Sequence, residues 1–384
     1  MQAAWFVPRP RRPSARATVH TRCRSWVTAA GLALLVAACG GGGGSSPAPT
    51  PEPPTARPQA LATARSGELL AWARGRLAAR TPTGTGALAP AWLTTTFSPA
   101  ATVSASGTVV QEAQVDEEDL IKTDGTRLYT LQPLASTAQA GAAWSQLDVH
   151  TLDAGGRPQR QGTVKLLQDA ATWVSTRGLQ LAAGGPRLAV VGEGAQGSPC
   201  PPNALCTALV PYVLSQPSVQ LNLVDATQAA APTVVERWQI DGRLVGTRLV
   251  GRTLYVVATH TPQLPYDVLP ASASATQRQA ALDQMTLAQL LPMLRVNGGA
   301  PQPLVAETDC WVQTANKSTQ VAITTITAVD LGSNAFTRTS RCFAGGAEAL
   351  YLSAANLWLA TSRWDYGDAS GRVLFAPDVQ TDIH

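Results

Sequence analysis

The chain has 384 residues, 45% of them hydrophobic and only 14% charged, and its 29 basic and 25 acidic side chains leave a net charge of +4. Six of the arginines (Arg9, Arg11, Arg12, Arg16, Arg22 and Arg24) lie in the first 38 residues, which hold no acid, so the remainder carries 23 basic against 25 acidic groups. That nearly neutral remainder gives no electrostatic basis for binding nucleic acid, which is therefore not expected as a partner.

The basic start is followed by an apolar run over residues 26–38 that ends in Val36-Ala37-Ala38, and the three parts together describe a secretory signal peptide over residues 1–38. Cys39 at the first mature position makes the junction resemble a bacterial lipoprotein lipobox. The resemblance implies cleavage after Ala38 and a diacylglycerol on the Cys39 sulfur. The apolar run is shorter than the roughly 20 residues a membrane span needs. An acyl chain contributes roughly 0.8 kcal/mol per buried methylene, so the expected location is extracytoplasmic, lipid-anchored to a bacterial membrane through Cys39. Gly40, not Asp, follows the cysteine. By resemblance to other lipoproteins this implies the outer membrane in a Gram-negative host.

Residues 39–60 are mostly Gly, Ser, Pro, Thr and Ala with hardly an apolar side chain, and such a segment cannot bury enough surface to repay its ordering entropy. It is a tether. Residues 61–108 then read as an N-terminal helix and a connector. The helix is placed over residues 61–80, with Leu61, Leu69, Leu70 and Leu77 mostly on one face, Ser66 and Gly67 interrupting it, and Arg74, Arg76 and Arg80 near its end.

From residue 109 to 384 the texture changes to short β-type runs between turn residues. One kind is a turn followed by an apolar strand, as in Asp124-Gly125-Thr126-Arg127-Leu128-Tyr129, Gly185-Pro186-Arg187-Leu188-Ala189-Val190, Gly251-Arg252-Thr253-Leu254-Tyr255-Val256 and Ala355-Asn356-Leu357-Trp358-Leu359. The other is an alternating strand that closes on Asp153, Asp225 or Asp330, where the carboxylate can accept backbone N–H groups at the corner. Such a recurrence roughly every 60 residues is the pattern of propeller blades. The fold class expected is all-β, a partial β-propeller of about four blades, with a β-sandwich as the competing architecture. Residues 261–310 exceed the repeat. They are read as a helical insertion displayed from one face, with a helix from Ala275 to Leu294 broken or kinked by Pro292.

Export also decides the cysteines. Cys23 lies in the signal peptide and Cys39 carries the lipid, which leaves Cys200, Cys206, Cys310 and Cys342 for an oxidising compartment. Three pairings are possible, and Cys200 with Cys206 and Cys310 with Cys342 are preferred. Neither pair has the separation of a zinc knuckle, and no histidine is close by in sequence.

Gln111-Glu112-Ala113-Gln114-Val115-Asp116-Glu117-Glu118-Asp119-Leu120-Ile121-Lys122-Thr123-Asp124-Gly125 resembles the opening of the bacterial secreted β-propeller domain family, which is distantly related to WD40 repeats. Arg65-Ser66-Gly67-Glu68-Leu69-Leu70 resembles the helix preceding that opening. Weaker matches are Thr286 to Pro292 with Asp309-Cys310-Trp311, then Ala328-Val329-Asp330-Leu331, and Ala349 to Ser353 with Asn356-Leu357-Trp358. The resemblance covers most of residues 65–384. Members of the family are longer, and Thr381-Asp382-Ile383-His384 reads as the start of a strand, so the chain is expected to stop partway round the propeller.

Four constellations bear on chemistry. The carboxylates of Asp116, Glu117, Glu118 and Asp119 are the candidate metal ligands, with calcium as the metal they would suit. They lack EF-hand spacing, and are read instead as starting the first strand and keeping its edge soluble. No metal is expected. Gly192-Glu193-Gly194-Ala195-Gln196-Gly197 fits a dinucleotide fingerprint, but Pro199, Pro201 and Pro202 exclude the helix that must follow, so its glycines are read as turn residues and no cofactor is expected. The mature histidines His150, His260 and His384 have no zinc spacing, and neither a nucleophile elbow nor a phosphate loop is present. Trp144, Trp173, Trp238, Trp311 and Trp358 suit packing between blades, with sugar stacking the lesser use.

No catalytic residue emerges. The function expected is a lipid-anchored binding or scaffolding module at the cell envelope, its partner an envelope protein or a polysaccharide. The alternative is a propeller enzyme of quinoprotein-like dehydrogenase or hydrolase type.

Overall fold

A computed structural model describes residues 61–79, 114–367 except 136, 138, 171, 197–215, 271, 314–319, 334 and 348, and 373–384. The β-type runs form four sheets laid down in chain order. The first holds Ile121–Thr123, Arg127–Pro133, Ala143–Leu152 and Pro158–Leu167 as an antiparallel meander. The second repeats that plan with Trp173–Leu181, Arg187–Gln196, Gln216–Asp225 and Thr233–Asp241, and the third with Arg243–Val250, Thr253–His260, Ile323–Asp330 and Arg338–Ala344. The fourth has Ala349–Leu352, Leu357–Gly367 and Val373–Ile383. The chain is thus mostly β, and none of these sheets closes on itself. Residues 381–383 end a strand, where the sequence reads them as the start of one.

Alternation along each strand decides how the sheets stack. Leu147 and Val149 are fully buried and pack in one cluster with Leu179, Leu188 and Val190 of the second sheet. A larger core joins the other face of the second sheet, through Ala189, Leu221 and Leu223, to Leu254, Val256 and Ile323 of the third. A small cluster of Val257, Ala347 and Leu359 joins the third to the fourth. Each fully buried aliphatic side chain contributes roughly 1.5–3 kcal/mol, so the sheet-to-sheet faces are the main source of stability.

The N-terminal helix is Glu68–Ala78, shorter than expected, and Ala62–Thr63 before it is a strand. Gly67 ends the extended stretch with a left-handed φ of 82°, a conformation open to glycine and costly for other residues. The insertion also departs from expectation. It contains two helices, Ala275–Gln284 and Leu287–Leu290, and the break falls at Met285–Thr286, where Thr286 starts a new capping box. Pro292 instead precedes a strand, Met293–Val296, which adds to the outer edge of the second sheet.

The insertion is therefore not a displayed loop. Leu264, Leu282, Leu290, Leu291, Leu294, Leu304 and Val305 belong to the main core, and Cys310–Val312 lies parallel to Arg338–Ala344 on the outer edge of the third sheet. Cys310 and Cys342 face each other in that pair and are joined by a disulfide, as the sequence reading prefers. Closing a loop with a sequence separation of 32 residues is worth roughly 3–4 kcal/mol by chain entropy. Cys200 and Cys206 lie outside the described residues, as does Cys39.

Candidate functional site

Consecutive strands alternate direction, and short links join the last strand of one sheet to the first of the next, so all connections fall on two rims. Among the described residues, one rim carries the connection 134–142 and both ends of the insertion between His260 and Ile323. The opposite rim, among the described residues, carries only tight turns, none longer than seven residues. Those turns are built by aspartates. Asp153, Asp225 and Asp330 each accept, through Oδ1, the backbone N–H two residues on, at 2.9, 2.8 and 2.8 Å. Asp124 does the same for Thr126 and Arg127 at 2.9 and 2.7 Å. Burial alone would raise the carboxyls of Asp124 and Asp225, but these hydrogen bonds outweigh it and hold both below the ordinary range.

Arginines join the tight-turn rim across sheets. Arg127 of the first sheet donates to the carbonyls of Ala226 and Thr227 in the second, at 2.6 and 3.2 Å. Arg187 of the second donates to the Ser333 carbonyl of the third at 2.6 Å. The repetition one sheet further along marks this rim as structural.

The acidic run occupies the inner edges of the sheets. Val115–Asp116 pairs with Leu249 and Val250 of the third sheet, Asp119 bridges to Leu179 of the second, and Leu120 accepts from Leu131 of the first at 2.8 Å. Along the way each carboxylate meets its own partner. Asp116 lies 2.7 Å from the Lys122 ammonium, Glu117 lies 3.2 Å from Arg248, Glu118 accepts from the Thr247 hydroxyl, and Asp119 accepts from the Leu120 N–H at 2.7 Å. Four oxygens sent to four partners do not converge on one point, and no cluster of three acids, histidines or cysteines suited to a metal exists among the described residues. The run is a strap across three sheets rather than the beginning of one strand. Gly178 makes its close approach possible, because a Cβ there would stand 2.9 Å from both the Asp119 nitrogen and the Glu118 Cβ.

The other sequence candidates are dispersed. Gly192 and Gly194 lie inside the strand Arg187–Gln196, not in a turn. A Cβ at Gly192 would meet the Trp144 ring at 2.9 Å, so this glycine admits an indole from the neighbouring sheet. His150 shares a hydrogen bond of 3.1 Å with Thr130 on the first sheet, and His384 sits 4.9 Å from the Phe343 ring and 3.0 Å from the Thr361 hydroxyl. His260 lies at the end of a third-sheet strand. Trp144 and Trp238 are buried as packing predicts, whereas Trp173 and Trp358 are 43% and 45% exposed.

A cleft of about 570 Å³ opens beside the start of the strap, lined by Gln114, Val115, Asp116, Leu181, Ala183, Leu249, Val250 and Gly251. Its one carboxylate is the Asp116 that is held by Lys122, so it presents no acid–base pair. Sequence reasoning missed Gly178 and the arginines of the rim, because their partners are set by packing between sheets.

A family model described as a Beta propeller domain matches residues 105–381. No curated protein and no solved structure matches the chain.

Proposed function

Because the chain belongs to the Beta propeller domain family, we propose that its four sheets are consecutive blades of a partial propeller and that the protein is a lipid-anchored, extracytoplasmic binding or scaffolding module at the cell envelope. The observation that carries the binding role is the asymmetry of the rims. One is closed by Asx turns and arginine ties, while the other carries, among the described residues, the longer connections, and loops on a rigid scaffold are where recognition residues concentrate. The anchor reading rests on the lipobox and the Gly- and Pro-rich tether at residues 39–60, and the oxidised Cys310–Cys342 pair is in keeping with export. The partner is an envelope protein or polysaccharide. An axial enzyme site of quinoprotein or hydrolase type would need the inner edges that the acidic strap covers, so binding is preferred to catalysis.

Two measurements test this reading. Mass spectrometry of the membrane fraction should find acylated Cys39 as the N-terminus, and Cys39→Ser should move the protein to the soluble fraction; an unmodified residue upstream of Cys39 in the mature protein would overturn the anchor. Photo-crosslinkers at the 79%-exposed Val268, on the long rim, and at the exposed Ala154, on the tight rim, should give a specific adduct from Val268 alone. Adducts only from Ala154 would place the binding surface on the wrong rim.

A further inference from the structure

The segment that leads out of the tether is fastened to the domain at two points, and one of them is a strand that a disulfide ties to the third sheet. Ala62–Thr63 pairs antiparallel with Cys310–Val312, and Ala64 donates to the Cys310 carbonyl at 2.8 Å. Cys310–Val312 is itself a three-residue parallel addition to the third sheet, a short ladder of the less stable kind. The disulfide to Cys342 reinforces this platform, beside the burial of Cys310 and Val312 in the main core and the ion pair of Asp309 with Arg341.

The second point is Glu307, three residues before Cys310 and only 7% exposed. Its two carboxylate oxygens accept from the N–H groups of Gly67 and Leu69, each at 2.8 Å. Gly67 is the N-cap of the helix Glu68–Ala78 and has no side chain to accept those bonds. Glu307 therefore supplies, across 240 residues of sequence, the anionic cap that a helix N-terminus favours. Further along, Arg74 donates to the carbonyls of Asp283 and Met285 at 3.1 and 2.8 Å, and Leu69, Ala73 and Leu77 are buried in the same core as Leu282, Leu290 and Cys342.

We infer that Glu307 and the Cys310–Cys342 disulfide form a clasp that makes the anchor-side segment, residues 61–79, an integral part of the domain, so that the domain is retained on its membrane anchor by the fold as well as by the continuous chain. The disulfide fixes the platform and Glu307 fixes the helix on it. This rests on the proposed lipid anchor at Cys39.

The test uses the full chain with a site-specific protease sequence inserted between residues 90 and 100, in membranes from the producing cells. After cleavage, the piece carrying residues 39–79 and the sheets are joined only by non-covalent contacts, namely the Ala62–Thr63 pairing, the Glu307 cap, the Arg74 hydrogen bonds and the buried helix face. The nicked parent protein should stay with the membrane, while nicked Cys310→Ser/Cys342→Ser and nicked Glu307→Ala should be released at least tenfold faster. Equal release rates for parent and variants would overturn the clasp. Absence of the uncut parent from the membrane would instead overturn the anchor, and amide exchange then still decides the clasp in solution. Residues 62–79 should lose at least tenfold protection in the disulfide variant while Ala143–Leu152 keeps its own. Loss in both regions would make the disulfide a general stabiliser, contrary to the inference, and Glu307→Ala, which leaves the disulfide intact, gives the same comparison if the cysteine variant does not fold.

Discussion

Single residues in this protein are best understood by what stands against them. Gly178 is the clearest case. It lies within a strand, where glycine is ordinarily unfavourable, and nothing in its neighbours in sequence explains it. The explanation is the acidic strap, whose backbone passes where a side chain would be. Gly178→Val should destabilise the protein by about 1–3 kcal/mol, the usual cost of overpacking, read as a lower urea midpoint with an unchanged slope. An unaltered midpoint would mean that the strap does not lie on the second sheet. Gly192 follows the same logic with the Trp144 ring, so Gly192 and Gly194 of the dinucleotide-like motif are strand residues and not turn residues, while Gly197 lies outside the described residues.

At the level of elements, strands were the most legible. Alternating apolar positions and a closing aspartate mark Ile323–Asp330 to the residue and the last seven residues, from Val219, of Gln216–Asp225, because period and corner chemistry are both local. Helices were less so. The leucines of residues 61–80 suggest a helix interrupted by Ser66 and Gly67; the helix starts only after Gly67, and pairing with Cys310–Val312 draws Ala62–Thr63 into a sheet. The insertion is the largest departure, since its apolar residues face the core of two sheets. Deleting residues 261–310 removes Leu264, Leu282, Leu290, Leu294 and two edge strands. The expected result is loss of soluble folded protein, checked by near-ultraviolet circular dichroism, rather than a folded domain lacking a loop. Leu290→Ala alone should cost about 2–5 kcal/mol. A deletion variant that melts like the parent would return the insertion to the surface.

Over the whole molecule, charge is spread into ties between sheets, and stability should depend on pH accordingly. Burial lowers His260 below the ordinary histidine value of 6.5, more than nearby Asp241 raises it. The unfolded chain therefore takes up that proton first, so this contribution is complete above about pH 6.5 and is lost as pH falls below it. Asp124 and Asp225, held low, add stability that is present above about pH 3.9 and lost on further acidification. Tyr129 is pushed up to about 12 by burial and by Asp124, so its share is complete below about pH 10 and is lost above that. Melting temperature should accordingly be flat from about pH 6.5 to about pH 10 and fall on either side, and His260→Asn should remove the first acid step. A melting temperature that is unchanged from pH 7 to pH 5 would contradict the assignment to His260.

The alternation of turn and strand, the Asx corners and the preferred partner of Cys310 are legible without coordinates. These depend on residues close in the chain, or on a short choice among few cysteines. Tertiary structure alone decided that the acidic run is a strap with four separate partners, that Gly178 and Gly192 are clearances, that the insertion covers two sheet edges, and that Glu307 caps a helix 240 residues away. Each of those depends on which surfaces meet once the sheets stack, and stacking is governed by the summed burial of many side chains rather than by any local pattern.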